Sequence, residues 1–282
     1  MISKKRIGDG SVGIQAEHDV TVNVGLTVAE VRELTQLFLK ENFPLLRQDA
    51  MEIARSYVAQ LMAEFEAQFA RRFQEIDTNK FRDPDVQYTL NEAVIETAKR
   101  GERANIDLLV TLILERVSKE GGDLFSLACS DAVKVVPRLT RSMIDFLTVA
   151  NFFEHMFLKT FNSITDYEES AKLLYPVVKA ASSVTGWQVQ YLESQRCLVH
   201  LFIGRNSVYN QLKLKYPALK DTSEEQIKKD IMEKTTYFRD FVHLFEEHRM
   251  NFIRITLVGQ LIAAVNYNRY LPGSNNLSEL IS

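Results

Sequence analysis

The order of apolar and polar residues divides the chain into a short N-terminal stretch with a period of two and a long remainder with a helical period. Residues 8–25 read GDGSVGIQAEHDVTVNVG. Their even positions from 12 to 24 are mostly apolar, and the odd positions between them are polar or glycine. This alternation is typical of a half-buried β-strand or hairpin. After Gly25 the apolar residues recur at helical spacing.

Residues 8–25, called the arm below, are expected to need a packing surface outside themselves. A two-stranded ribbon alone is marginally stable in water. The arm is either a hairpin turning at about residues 16–19 or one extended strand, and both forms leave free edges that invite partner strands. Because Thr27 begins a helix two residues later, little chain is left for folding back. We therefore predict homo-oligomerisation through the arm, with these interface residues: Val12, Ile14, Val20, Val22 and Val24.

Capping signals divide the following residues into helices. Thr27-Val28-Ala29-Glu30 is a capping box, which predicts a helix from about Val28. A long amphipathic run covers about 46–76, and Asp83-Pro84 opens a further helix. The predicted apolar face of the first helix is Val28, Val31, Leu34, Leu37 and Phe38. The predicted apolar face of the long run is Ile53, Tyr57, Leu61, Phe65, Phe69 and Phe73.

The second half of the chain is also predicted to be helical. Thr140 caps a very apolar helix, Pro176 kinks or divides the segment 166–184, and 187–203 is helical. The sequence Thr222-Ser-Glu-Glu225 is taken as a capping box that starts one long helix to about Arg249. The segment 252–270 is ambiguous. Either Ile253–Thr256 is a strand and Thr256 caps a helix, or one helix runs on from Met250.

The predicted fold class is therefore mainly α, a multi-helix bundle of one or two lobes with an N-terminal β-hairpin or arm. The boundary between the lobes is placed at about 138–140. The predicted units are the arm at 1–26, a helical lobe at 27–138, a second helical lobe at 139–270, and a loose tail at 271–282.

Composition limits the function classes. A hydrophobic fraction of 46% and a charged fraction of 25% are those of an ordinary globular protein. A formal net charge of −3 gives no reason to expect nucleic-acid binding. Cys129 and Cys197 lie in apolar contexts, as expected of buried thiols in a reduced cytoplasmic protein. We see no signal peptide and no membrane-length apolar run, so we expect no membrane association in the resting state.

The sequence holds no recognisable catalytic constellation. His243 and His248 are five residues apart, whereas the zinc-protease motif needs four with Glu directly after the first. Glycines at 8, 10 and 13 are not preceded by a strand, so a dinucleotide fingerprint is rejected. We assign no catalytic, cofactor-binding or metal-binding residue and expect no cofactor.

Three segments together resemble one family. They are GDGSVGIQAEHDVTVNVGLTVAEVRELTQLFLKENF, FRDPDVQYTLNEAVIETAKRGERANIDLLVTLILERV and ITLVGQLIAAVNYNRY. The family is a group of bacterial proteins of about this length that are known by locus tags, and it brings no established activity. Other members favour small residues at the arm's turn, where this chain has Glu17 and His18. A looser similarity links the arm and the 255–259 segment to bacterial conflict-system and abortive-infection proteins.

These observations favour a non-enzymatic bacterial cytoplasmic protein that self-assembles through its arm. We expect it to act as a sensor or scaffold in phage (antiviral) defence or stress response, with an unknown protein partner. One alternative is a membrane-active effector that releases 252–265 and 139–158 on activation. Another is an enzyme, a nuclease or hydrolase, with a site scattered along the sequence.

Overall fold

The computed structural model describes residues 25–43, 48–119, 122–155 and 161–271. Within these ranges the chain forms thirteen α-helices, several short 3-10 turns and one two-stranded sheet, so the predicted mainly α, multi-helix fold is confirmed. The arm lies outside the described residues apart from Gly25. The predicted interface therefore also lies outside them: Val12, Ile14, Val20, Val22 and Val24.

The first half of the chain forms five helices. They are α1 (Val28–Asn42), α2 (Gln48–Arg72), α3 (Pro84–Arg100), α4 (Ile106–Arg116) and α5 (Asp123–Val135). The capping box of α1 is confirmed, because the Thr27 hydroxyl accepts from the Glu30 amide at 3.3 Å and the Glu30 carboxylate accepts from the Thr27 amide at 2.7 Å. Asp83 caps α3 by accepting from the Asp85 amide at 3.1 Å. Local capping chemistry thus sets where α1 and α3 begin.

The predicted apolar face of α2 is only partly buried. Phe65 and Phe69 are buried, but Ile53 and Phe73 are more than half exposed. Residues spaced by four turn through 400°, so the stripe drifts by about 40° at each step and leaves the buried side at both ends. In α1 the predicted Leu37 is likewise exposed. The buried residues of α1 are Val31, Thr35 and Leu39.

The second half forms eight helices within the described residues. They are α6 (Arg141–His155), α7 (Tyr167–Leu173), α8 (Tyr175–Ala181), α9 (Gly186–Ser194), α10 (Val208–Lys215), α11 (Glu224–Lys234), α12 (Tyr237–Glu247) and α13 (Leu257–Asn268). Thr140 caps α6 as predicted, since its hydroxyl accepts from the Met143 amide at 3.3 Å. Pro176 lies in the first turn of α8, which confirms that it divides the segment 166–184.

The helix predicted over 187–203 is wrong beyond Ser194. The chain turns there and forms β1 (Leu198–His200), which pairs antiparallel with β2 (Ile253–Ile255). The strand-and-helix alternative for 252–270 is therefore confirmed, and Thr256 caps α13 by accepting from the Gly259 amide at 3.3 Å. Each short strand needs the other for its backbone hydrogen bonds, and β1 depends on a partner more than fifty residues later in the chain.

The long helix predicted from Thr222 to Arg249 is also wrong. Its cap is Ser223, and α11 ends before Thr235. After the break, the Glu168 carboxylate on α7 accepts from the amides of Thr236, Tyr237 and Phe238 at 2.7, 2.9 and 3.1 Å. A carboxylate 68 residues away thus caps α12, where the sequence contains neither proline nor glycine.

The buried apolar residues form one continuous cluster from α1 to α13. Within it, α6 packs against α8 and α13, and α13 packs in turn against α5 and α4. The last helix therefore connects the two predicted lobes, and the division into 27–138 and 139–270 stays a prediction. None of the helices in the described ranges combines the length and the apolar character that spanning a bilayer requires.

Candidate functional site

The point where the arm joins the helical body is fixed by close packing. Gly25 is buried, and a Cβ on it would overlap the backbone carbonyl of Thr78, in the 3-10 turn that precedes α3. The next residue, Leu26, packs against the core. Gly25, the last residue of the arm, therefore has a defined position on the body directly before α1.

A groove of about 690 Å³ runs between α1 and α2. We call it the α1–α2 groove, and it is lined by Arg32, Thr35, Gln36, Leu39, Lys40, Met51, Arg55, Val58, Ala59 and Met62. Leu39, Val58 and Met62 are buried and give it an apolar floor. This volume lies in the range of ordinary ligand-binding clefts.

The edge of the α1–α2 groove is positively charged. Arg32, Lys40 and Arg55 line it, and no carboxylate is among its described lining residues. Arg32 forms an ion pair with Glu66, which lies outside the groove. An apolar floor with a cationic edge is suited to holding a segment that presents apolar side chains together with acidic ones.

The histidines differ in their exposure and in the groups that they contact. His243 is exposed, whereas His248 is half-buried, with its ring centroid 5.2 Å from the Phe146 ring centroid in an edge-to-face arrangement. Burial lowers the pKa of His248. His200 bonds through Nδ1 to Glu193 at 2.8 Å. In the described part of the chain, no three His, Cys, Asp or Glu side chains come together as a metal site would require.

Both cysteines are buried and unbridged. Burial raises the pKa of Cys197 to about 12 and raises the pKa of Cys129 further still, with the Glu115 carboxylate acting in the same direction. The thiolate is the nucleophilic form of cysteine. These thiols therefore stay protonated at neutral pH and are suited to packing, in agreement with the prediction made from their apolar contexts.

A buried polar network that the sequence analysis missed connects α6 to α13. The Asn266 amide nitrogen donates to Asp145 and to Thr148, both at 2.9 Å, and the Asn266 carbonyl accepts from Arg141 at 2.8 Å. Burial raises the pKa of Asp145, and the Asn266 hydrogen bond and nearby Arg141 oppose this. The available signal was a carboxylate and a threonine among the apolar residues of α6, but their partner is more than a hundred residues away.

A second polar cluster fixes β2 to the end of α6. Glu154 accepts from Arg205 at 2.9 Å and from the Ile255 amide at 3.4 Å, and Arg205 also donates to the Ile253 carbonyl. Nearby, burial lowers the pKa of Lys215 to about 8, Glu154 opposes this shift and Arg205 adds to it. The contacts of Glu154 and Arg205 with the backbone of β2 indicate a structural role.

The geometry defines a mainly α protein with grooves on its described surface. A family model matches residues 25–225, which is more than half of the chain, and the protein belongs to that family. The family is named by a locus tag with the suffix "-like", and the name states no activity, substrate or partner. The matched residues begin where the arm ends. No curated protein and no solved structure matches the chain.

Proposed function

We propose that the protein is a non-enzymatic scaffold or sensor that self-assembles when the arm of one copy lies in the α1–α2 groove of another. The proposal is supported by the complementary chemistry of the α1–α2 groove and the arm. The groove has an apolar floor and three cations at its edge. The even positions of the arm from 12 to 24 are mostly apolar, and the arm also carries three acidic residues, Asp9, Glu17 and Asp19.

The dimensions support this pairing. A hairpin made from residues 8–24, with its turn at 16–19, has about six residues in each strand on average, which gives a length of about 20 Å at 3.3 Å per residue. Helix α1 has 15 residues, and at 1.5 Å per residue it is about 22 Å long. A hairpin of this size covers the groove along α1 and is too short to cover much more.

Because Gly25 is fixed on the body, the arm of one copy is expected to occupy the groove of a second copy. Gly25 is held against Thr78, and Leu26 packs on the core directly before the cap residue Thr27. The arm therefore has no slack linker for turning back along α1. Exchange of arms between copies buries the apolar even positions without requiring such a turn.

The biological setting of the proposal comes from the resemblance described in the sequence analysis. In this proposal the protein acts in the bacterial cytoplasm, in phage defence or stress response. Assembly through the arm presents several copies of the helical body to a further protein partner. Neither membrane association in the resting state nor a catalytic step is part of this function.

A charge exchange tests the contact between arm and groove. Lys40→Glu with Arg55→Glu, and separately Glu17→Lys with Asp19→Lys, should each weaken self-association by about tenfold or more, because like charges then face one another. Combining the four substitutions should restore much of the affinity, as measured by sedimentation equilibrium. Arg71→Glu, an exposed position on α2 outside the groove, serves as the control.

Two results would contradict the proposal. One is an oligomer that both charge-reversed pairs leave unchanged. The other is a wild-type protein that stays monomeric at every concentration while its arm resists proteolysis, since the arm would then pack on its own body.

A further inference from the structure

A second groove, of about 750 Å³, is lined by five arginines. It lies where the turn between α3 and α4, the turn between α5 and α6, and the end of α13 meet. We call it the arginine groove, and its lining is Arg100, Glu102, Arg103, Asn105, Asp107, Pro137, Arg138, Leu139, Thr140, Arg141 and Arg269. It is separate from the α1–α2 groove and shares no residue with it.

The turns that form this groove are joined by a buried asparagine. Asn105 has a left-handed backbone, with φ of 56°, and its side-chain amide donates to the carbonyls of Val136 and Leu139 at 3.1 and 3.0 Å. Because its side chain is used in this way, Asn105 does not cap α4. The α3–α4 turn is thereby held against the α5–α6 turn, and the walls of the groove keep a fixed spacing.

Two of the arginines are held in place from behind. Asp107 forms ion pairs with Arg269 at 2.7 Å and with Arg141 at 3.7 Å. The Asn266 carbonyl accepts from Arg141 at 2.8 Å and from Arg269 at 3.4 Å, and Asn266 is itself fully buried. A guanidinium has five N–H donors. Each side chain is therefore oriented by some of its donors and keeps others for a ligand.

The remaining arginines add charge that the protein does not neutralise within the groove. Arg103 and Arg138 are exposed, and in the described ranges neither forms an ion pair. Arg100 pairs with Glu96, outside the lining, at 3.2 Å. The five arginines exceed the two lining carboxylates, Glu102 and Asp107, by three positive charges. The whole chain carries a net charge of −3, so this excess is a local feature.

Oriented guanidinium groups bind phosphate oxygens through paired hydrogen bonds. The charge excess is of the size that a diphosphate group carries, and the volume suits a small molecule. A long nucleic acid would require a basic track extending over the surface, whereas these arginines converge on one groove. We propose that the arginine groove binds a small molecule that carries a diphosphate group, with Arg141 and Arg269 as the preorganised donors and Arg103 and Arg138 as the outer ones.

Titration calorimetry of the full chain at low salt tests the proposal, with inorganic pyrophosphate and ADP as the probes. Arg103→Gln with Arg138→Gln changes only exposed side chains, so the fold should be retained and the affinity for pyrophosphate should fall by about tenfold or more. Arg141→Lys keeps the charge but removes the planar fork and should also weaken binding. Arg71→Gln, an exposed arginine outside the groove, should bind as the wild type does.

Pyrophosphate and ADP binding with equal affinity would show that the diphosphate alone is recognised, and tighter binding of ADP would show that the nucleoside also contacts the groove. The proposal is supported by either result if the binding is lost in Arg103→Gln/Arg138→Gln and kept in Arg71→Gln. Absence of binding to the folded wild type overturns it, as does binding that the groove variants do not change. Binding of a single-stranded oligonucleotide without binding of pyrophosphate overturns it in favour of a macromolecular ligand.

Discussion

At the residue scale, one glycine determines how the last helix meets the small sheet. Gly259 lies in the first turn of α13, and a Cβ at this position would overlap the carbonyl oxygen of Cys197 just before β1. The same carbonyl accepts from the Thr256 amide at 3.1 Å, so the close approach is held by a hydrogen bond. Helix and strand can come together here only because residue 259 has no side chain.

Gly259→Ala should therefore lower the free energy of unfolding by roughly 2–3 kcal/mol, because overlap with backbone atoms outweighs the better helix propensity of alanine. Gly186→Ala is the matched control, since a Cβ there meets nothing within 4 Å. Its effect should stay within about 0.5 kcal/mol. Urea unfolding of the two variants gives the comparison, and equal effects would show that the approach at Gly259 is not tight.

The buried Cys197 thiol gives a pH dependence of stability. Burial raises its pKa from 9.0 to about 12, so the unfolded chain loses this proton first and stability falls as pH rises above 9. Between pH 8 and pH 10 the free energy of unfolding of the wild type should fall by about 1 kcal/mol more than that of Cys197→Ala. Urea unfolding under reducing conditions at both pH values measures the difference. Parallel losses would mean that the thiol is solvated in the folded protein.

At the element scale, the boundary between α11 and α12 depends on a side chain from another helix. The Glu168 carboxylate on α7 accepts three amides at the N-terminus of α12. Burial acts to raise the pKa of Glu168, but these hydrogen bonds outweigh it and the pKa is lowered. The cap therefore contributes above the ordinary range of a Glu carboxyl and is lost as pH falls and the group is protonated.

Glu168→Ala should lower the free energy of unfolding by about 1–2 kcal/mol at neutral pH, the usual effect of removing an N-terminal cap. Its neighbour Glu169 is exposed and makes none of these contacts, so Glu169→Ala is the control. Chemical denaturation followed by circular dichroism measures both variants. If the two substitutions had the same effect, the break between α11 and α12 would have a local cause.

The elements that the sequence predicted well are those whose signals are local. The caps at Thr27, Asp83 and Thr140 act within three residues of the helices that they begin. By contrast, β1 needs β2 more than fifty residues later, and the α12 cap comes from Glu168. The Asn266 network and the arginine groove likewise join residues from distant parts of the chain, so no short window of sequence contains them. The α1–α2 groove joins neighbouring helices, and it depends on how α1 and α2 pack against each other.

At the scale of the whole molecule, the described residues form one helical body with two separate grooves. The α1–α2 groove has an apolar floor and lies on the helix that follows the arm. The arginine groove is polar and lies where turns from both halves of the chain converge. The proposed assembly uses the first groove, and the proposed ligand uses the second. Each can therefore be removed by substitution while the other is kept.

In the proposed assembly, the apolar even positions of the arm hold copies of the protein together. Val20→Asp with Val22→Asp places two charges on even positions, and Thr21→Asp with Asn23→Asp places the same two charges on odd ones. The first pair should abolish self-association and the second should leave it intact, because in the proposed assembly only the apolar even positions are buried.

Light scattering measures the oligomeric mass of the wild type and of both variants at equal concentration. The account predicts an oligomer for the wild type and for Thr21→Asp/Asn23→Asp, and a monomer for Val20→Asp/Val22→Asp. An unchanged oligomeric mass in the valine variant, or an equal loss of mass in both variants, would contradict it.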